Sequence, residues 1–308
     1  MAFVSDNLHN FLEQVQTAFP DLALETIDSN FEGMVNDVVI VNGARIFRFP
    51  KTSWARGMQQ LEVKMLAALR PFLTLPIPHY DYVSDTMVSY EMIPGVPLQR
   101  FTILRQDEAT QDKLAEQLAE FMWQLHHVPA EITADFPQSN TVRTYEHWLE
   151  LYEKVQGEAL PLLMGFAKEW VEQHFAPLLA DPSFIDYEPV LMNGDLSPYH
   201  LLYDAEARCL SGVIDFGTVG MGDPAADFAC IIDAYGETFL RRIGKYYPGL
   251  GDHIERARFW AGTLELQWLL GGLRSDDASN HDVSWFGVHI GRARDVLPIG
   301  SGWVEIRD

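Results

Sequence analysis

The chain has 308 residues, with 22 Lys plus Arg against 44 Asp plus Glu, a formal net charge of −22. A surface this acidic excludes broad phosphate-backbone binding to nucleic acid and adhesion to anionic lipid through a basic face. With 47% hydrophobic residues the chain can bury a substantial core, and two cysteines are too few for a disulfide framework, so the expectation is a soluble protein of the reducing cytoplasm.

Residues 7–18 carry helical spacing through Leu8, Phe11, Leu12 and Val15. The period then drops to two over residues 37–42 and 44–49, with Asn42 and Gly43 between them, a pair suited to the positive φ of a tight hairpin. Pro50 stops the second strand. Residues 55–70 predict a helix with Met58, Leu61, Met65 and Leu66 on one face. LPIPHYDYVSD is extended, because paired prolines disfavour helix, and TMVSYEMI reads as a further strand. The resulting N-terminal lobe is strand, strand, helix, strand, strand, over residues 1–93. MIPGVPL reads as a connector. Residues 94–308 form a larger, mainly helical lobe, with helices expected over 107–126, 142–155, 160–178, 225–246 and 252–272. A β-rich island at 189–217 interrupts them. The fold class is therefore α+β.

The island holds most of the chemistry-bearing polar residues. It runs from a strand through Asn193, Gly194 and Asp195 to His200, and then from Leu210 to Asp215, Phe216 and Gly217. Apolar stretches between these residues would hold Asp195, His200 and Asp215 on rigid backbone, an arrangement able to present a divalent metal and a base together. Either aspartate alone would equally read as an Asx-turn at a strand end, and His200 as a satisfied structural histidine.

NGDLSPYHLL, then GVIDFG, then GDPAADF, in that order, resembles the catalytic signature of the aminoglycoside phosphotransferase family. These are small-molecule kinases with a protein-kinase-like fold. The resemblance is nearest to the 2''-aminoglycoside and macrolide phosphotransferases, which also place His five residues after the catalytic Asp. It extends upstream over IFRFPK, LEVKML and MVSYEMIPGVPL, and spans roughly residues 25–235. It implies Asp195 as the catalytic carboxylate, His200 and Asp215 as ligands of Mg²⁺, and ATP or GTP as co-substrate. It implies a hinge over Ser89, Glu91 and Ile93 whose backbone meets the purine. Arg48 stands where the family usually has Lys, with Glu62 as its partner and Lys51 as the competing cation. Ile46 shares a strand face with Arg48 and would cover the base. Gly33 to Asn36 would lie over the phosphates. The motif's usual leading His is Asn193 here, whose side chain can still hydrogen-bond nearby backbone. Asp227 is assigned to holding catalytic-loop amides and Asp223 to a helix start.

The implied reaction is phosphoryl transfer to a hydroxyl of an aminoglycoside-like small molecule, with antibiotic resistance or metabolism left open as its role. A macrolide or metabolite alcohol is the alternative acceptor, and a nucleotide-binding pseudokinase the alternative class. Residues 185–240 contain ten acidic residues and one basic residue, Arg208, which favours a cationic acceptor. Asp233, Tyr235, Glu237, Glu265, Trp268 and Trp285 are candidate acceptor contacts.

Overall fold

The computed structural model describes residues 2–274, apart from 32 and 34, so Trp285 and Met34 lie outside the described residues. The chain opens with α1 (Ala2–Ala18), β1 (Ile27–Asn30), β2 (Asn36–Val41), β3 (Arg45–Pro50), α2 (Ser53–Leu69), β4 (Tyr80–Val83) and β5 (Val88–Glu91). The strands form one antiparallel sheet in the order β1-β2-β3-β5-β4. The expected β2–β3 hairpin is present: Asn42 and Gly43 take φ of 57° and 58°, and the Ala44 amide closes the turn on the Val41 carbonyl at 3.0 Å. The strand β1 was not expected. Its sequence, IDSN, has a single large apolar residue, because an edge strand with an exposed face needs no more. Asn42 helps to dock it, since its side chain accepts from the Glu25 and Thr26 amides and donates to the Ala23 carbonyl.

Alternation divides the sheet into two faces with different tasks. Val39, Val41, Phe47, Phe49 and Met87 pack against Val15 of α1 on the outer face. Burying side chains of this size contributes about 1.5–3 kcal/mol each before chain entropy is counted. Ile46 and Arg48 therefore point the other way, toward α2. That helix begins where the Thr52 hydroxyl accepts from the Ala55 amide at 3.1 Å, and it buries Ala55, Gln59, Glu62, Met65, Leu66 and Leu69 along one stripe.

The apolar core does not break at residue 93. Met65, Leu66 and Leu69 of α2 join the same buried cluster as Leu114, Leu118 and Phe216. The connector is also docked: β6 (Val96–Pro97) pairs with β8 (Leu201–Asp204). Gly95 before it has φ of 135°, and an added Cβ would lie 2.4 Å from Ser211 Oγ. No larger residue fits there.

The remainder contains α3 (Arg100–Leu104), α4 (Glu108–His126), α5 (Ala130–Thr133), α6 (Tyr145–Lys154), α7 (Gly165–Ala180), β7 (Val190–Met192), β8, β9 (Cys209–Val213), β10 (Gly220–Gly222), α8 (Ala225–Tyr235), α9 (Glu237–Ile243) and α10 (Ile254–Arg274). The island resolves into two small sheets, β10-β7 and β6-β8-β9. The single helix expected over 225–246 is broken: Gly236, at φ of 84°, separates α8 from α9. The helix expected from 142 starts at Tyr145, because Thr144 and His147 cap it reciprocally. Among the described residues no helix is long and apolar enough to cross a membrane.

Candidate active site

The catalytic-loop candidates follow β7 and precede β8. Gly194 has φ of 80°, and an added Cβ would stand 2.9 Å from Thr141 Oγ1, so the turn requires glycine. Asn193 is fully buried and works in two directions. Its Oδ1 accepts from the Asp195 amide at 2.9 Å, and its Nδ2 donates to the Asp215 carbonyl at 3.3 Å. This one side chain ties the Asp195 loop to the segment after β9. Asp215 has φ of 62°, a conformation that costs a non-glycine residue about 1–3 kcal/mol and persists only where its surroundings fix it. Its Oδ1 accepts from the Gly217 amide at 3.1 Å, so the Asx-turn is formed while Oδ2 remains free of that contact.

His200 stands between the two aspartates. Its Nδ1 lies 2.9 Å from the Asp195 carbonyl oxygen and 3.1 Å from Ser197 Oγ. A carbonyl only accepts, so Nδ1 carries a proton in that contact, and in the neutral ring Nε2 is left with its lone pair. Nε2 lies 3.5 Å from Asp215 Oδ2, and Nδ1 lies 3.5 Å from Asp195 Oδ2. The backbone fixes this arrangement through the Ile214 amide, which donates to the His200 carbonyl at 2.8 Å. Burial and the neighbouring Asp215 and Asp227 charges push the Asp195 carboxyl up from its ordinary value, with His200 working against them.

Across from this group, Arg48 of β3 meets Glu62 of α2. Nη1 donates to Glu62 Oε1 at 2.8 Å and to the Tyr80 hydroxyl at 2.6 Å, and that hydroxyl donates to Glu62 Oε1 at 2.9 Å. Burial opposes the Arg48 charge, but Glu62, Tyr80 and Asp215 outweigh it and hold its pKa well above the ordinary value. Lys51 is elsewhere: its Nζ donates to the Phe31 and Gly33 carbonyls and pairs with Asp37 at 3.4 Å, closing the loop before β2. Ile46 lies on the Arg48 face, with 8% exposure.

Ser89 is buried within β5, opposite Phe47 on β3 and Tyr82 on β4, and its hydroxyl accepts from Arg45 at 2.9 Å on the outer face. Farther along, the Met92 amide donates to the Ala44 carbonyl at 2.8 Å. Antiparallel alternation then turns the Glu91 carbonyl and the Ile93 amide to the opposite edge.

Beneath the loop, Asp227 of α8 is fully buried. Its Oδ1 accepts from the Gly194 amide at 2.6 Å, and its Oδ2 from the Asn193 amide at 3.1 Å and from His126 Nε2 at 3.0 Å. Holding loop amides is the role expected for Asp227, but His126 and Tyr80 were missed. Both lie far from their partners in sequence. The available signal for His126 was its place on the apolar stripe of α4, beside Leu118, Met122 and Leu125. A cavity of about 770 Å³ opens behind the loop, lined in part by His126, Tyr187 and Tyr247.

The acceptor candidates divide. The Tyr235 hydroxyl donates to the Leu98 carbonyl at 2.7 Å, and Glu237 is buried against Arg258, so both serve the fold. Asp223 is likewise buried, held by Arg256 at 2.9 Å while accepting from the Ala225 amide. Three of the ten acidic residues around the site, Asp223, Asp227 and Glu237, are thus committed to structural partners.

Comparison with known proteins gives a consistent outcome. A family model described as "Phosphotransferase enzyme family" matches residues 27–260. Viomycin phosphotransferase from Streptomyces vinaceus is 31% identical over 194 residues, 60% of this chain and 63% of that relative, so the match spans under two thirds of its length. The structure of the GDP complex of wild-type aminoglycoside 2'-phosphotransferase-IIIa superposes with a TM-score of 0.79 at 30% identity, covering 92% of this chain and 97% of that one. The GDP and kanamycin complex of APH(2")-IIia superposes equally well, with a TM-score of 0.79 at 29% identity over 92% and 97%.

Proposed function

The chain belongs to the phosphotransferase enzyme family, and on that premise we propose that it is a Mg²⁺-dependent kinase that moves the γ-phosphate of ATP or GTP to a hydroxyl of an aminoglycoside-like acceptor. The observation that carries the reading is the juxtaposition of Asp195, His200 and Asp215 on one side with the buried Arg48–Glu62 pair on the other. Phosphoryl transfer needs in-line positioning and neutralisation of charge, and this arrangement suits both.

Asp195 orients the acceptor hydroxyl and takes its proton as the oxygen–phosphorus bond forms, while the nucleoside diphosphate leaves. A carboxyl with a raised pKa is a stronger base, better matched to that transfer. Arg48, aimed by Glu62 and Tyr80, binds the nucleotide phosphates. The Glu91 carbonyl and Ile93 amide offer the purine an edge, and Ile46 covers it. Ser89, already flanked by strands on both sides, supports this edge through the sheet.

Asp215 Oδ2 is the kind of oxygen donor that Mg²⁺ takes, and His200 Nε2 would be a softer and weaker second ligand. His200 Nε2 and Asp215 Oδ2 face each other at 3.5 Å, and the Asp195 carbonyl holds the ring so that the Nε2 lone pair points that way. Mg²⁺ is commonly held by one or two carboxylates together with substrate phosphates, and Asp215 would supply such a carboxylate. Bound there, the ion would neutralise phosphate charge.

The acceptor class rests on the relatives whose structures superpose over nearly the whole chain, one of them with kanamycin bound. The test is a panel of aminoglycosides, viomycin, macrolides and simple alcohols, offered with ATP and with GTP. Nucleoside diphosphate release that requires Mg²⁺ and an aminoglycoside is the expected result. Mg²⁺-independent nucleotide binding with no turnover on any acceptor would make the protein a binding module instead.

A further inference from the structure

We propose that His126 is a positioning residue for phosphoryl transfer: from beneath the catalytic loop it fixes the Asp227 carboxylate that holds the Asn193 and Gly194 amides, and through them it sets the position of Asp195. The inference rests on the kinase reading above.

Three separate elements converge here. His126 ends α4, Asp227 lies in the first turn of α8, and Tyr247 follows α9. His126 Nε2 lies 3.0 Å from Asp227 Oδ2, and Nδ1 lies 2.8 Å from the Tyr247 hydroxyl. The His126 and Asp227 side chains are 1% and 0% exposed, so the contact between them is closed to solvent. An ionised carboxylate only accepts, which places a proton on Nε2. In the neutral ring Nδ1 then accepts from the Tyr247 hydroxyl. Burial and the Asp227 charge raise the Tyr247 pKa, so that hydroxyl keeps its proton. The result is a directed chain, Tyr247 to His126 to Asp227, ending at a carboxylate that also receives the two loop amides.

The ring cannot easily turn away. Phe228 and Tyr247 meet it edge to face at 5.9 and 5.7 Å, Phe228 packs on Tyr247 at 5.0 Å, and Trp123 closes on Tyr247 at 5.2 Å. Asp227 Oδ2 is shared between His126 and the Asn193 amide, so loss of the imidazole frees the carboxylate to rotate and slackens both loop bonds. Asp195 directly follows Gly194, whose amide is one of the two that Asp227 holds. Its own amide is held by Asn193 Oδ1, so slack at Asn193 reaches Asp195 directly. A misplacement of about 1 Å at a reacting group can cost on the order of a hundredfold in rate.

A histidine that merely fills the core would affect melting alone. The experiment therefore compares His126→Leu, His126→Gln and Tyr247→Phe, each well below its own melting transition. His126→Leu should lower kcat about tenfold to a hundredfold and leave the nucleotide KM within about twofold. His126→Gln, whose amide N–H can reach Asp227, should recover kcat to within about threefold of wild type. Backbone amide hydrogen exchange at Asn193 and Gly194 should accelerate in His126→Leu and return in His126→Gln. A folded His126→Leu protein with wild-type kcat and unchanged exchange would overturn the proposal, as would a glutamine variant no better than leucine. If His126→Leu does not fold, Tyr247→Phe decides: faster exchange at the two amides with a several-fold lower kcat supports the relay, and no change in either contradicts it. If wild type turns over no acceptor, the kinase reading fails, while the exchange data still decide whether His126 holds the loop.

Discussion

The two layers of the site treat their carboxylates in opposite ways. Asp195 and Asp215 keep side chains that are 44% and 46% exposed, whereas Asp227, one layer below, is 0% exposed and receives three hydrogen bonds. A carboxylate that is to meet a hydroxyl or a cation needs lone pairs within reach of solvent. A carboxylate that is to hold a loop needs its lone pairs occupied and its charge shielded. The upper layer is therefore adapted to chemistry and the lower layer to geometry, and substitutions in the two should fail in different ways.

The largest effect should come from the upper layer. Asp195→Asn removes the proton acceptor while keeping shape, and kcat should fall about 10²–10⁴-fold with nucleotide binding intact. Steady-state kinetics and a nucleotide titration check both halves. Next comes the N-terminal pair. Arg48→Met strands Glu62, 2% exposed, without its cation, and should cost about 3–5 kcal/mol in urea unfolding. The double variant Arg48→Met/Glu62→Gln should regain most of that stability without regaining nucleotide affinity, which separates holding from binding at this second place. Asn193→Ala should cost about 1–3 kcal/mol, because it removes a buried side chain that is both the acceptor of the part-buried Asp195 amide and the donor to the Asp215 carbonyl.

The smallest effect is one of pH. Partial burial in the cleft, together with the Asp215 and Asp227 charges, raises the Asp195 pKa although its side chain still reaches solvent, so the acidic limb of kcat/KM should be shifted upward and vanish in Asp195→Asn. The sign for stability follows from the same shift. The folded pKa exceeds the unfolded one, so the contribution of this group is present below the unfolded pKa and is lost as pH rises through the folded pKa. Asp195→Asn should thus melt slightly higher than wild type at neutral pH and equally at acid pH.

Local chemistry made much of this legible in the sequence. The Asn42–Gly43 turn, the α2 stripe with Glu62 inside it, and the order of Asp195, His200 and Asp215 all follow from short-range patterns. The strand β1 escaped because an exposed edge needs little apolar content. The break at Gly236 escaped because α8 and α9 are apolar on continuous faces, and only backbone conformation separates them. His126 and Asp227 are 101 residues apart, and Arg48 and Tyr80 are 32 apart, so only the folded chain pairs them. The acidity around the island looked like an attraction for cations, yet Asp223, Asp227 and Glu237 prove to be internal partners, and part of that charge never faces a ligand.

The division between layers is tested most directly by measuring melting and turnover together on Asp195→Asn and Asp227→Asn. Asp195→Asn should lose at least about a hundredfold in kcat and keep or raise its melting temperature. Asp227→Asn should melt markedly lower, because its amide nitrogen must take one of the two oxygen positions, where it accepts nothing from the Gly194 amide or, turned the other way, nothing from the Asn193 amide and His126. An Asp195→Asn protein that turns over within a few-fold of wild type, or an Asp227→Asn protein as stable as wild type, would contradict it.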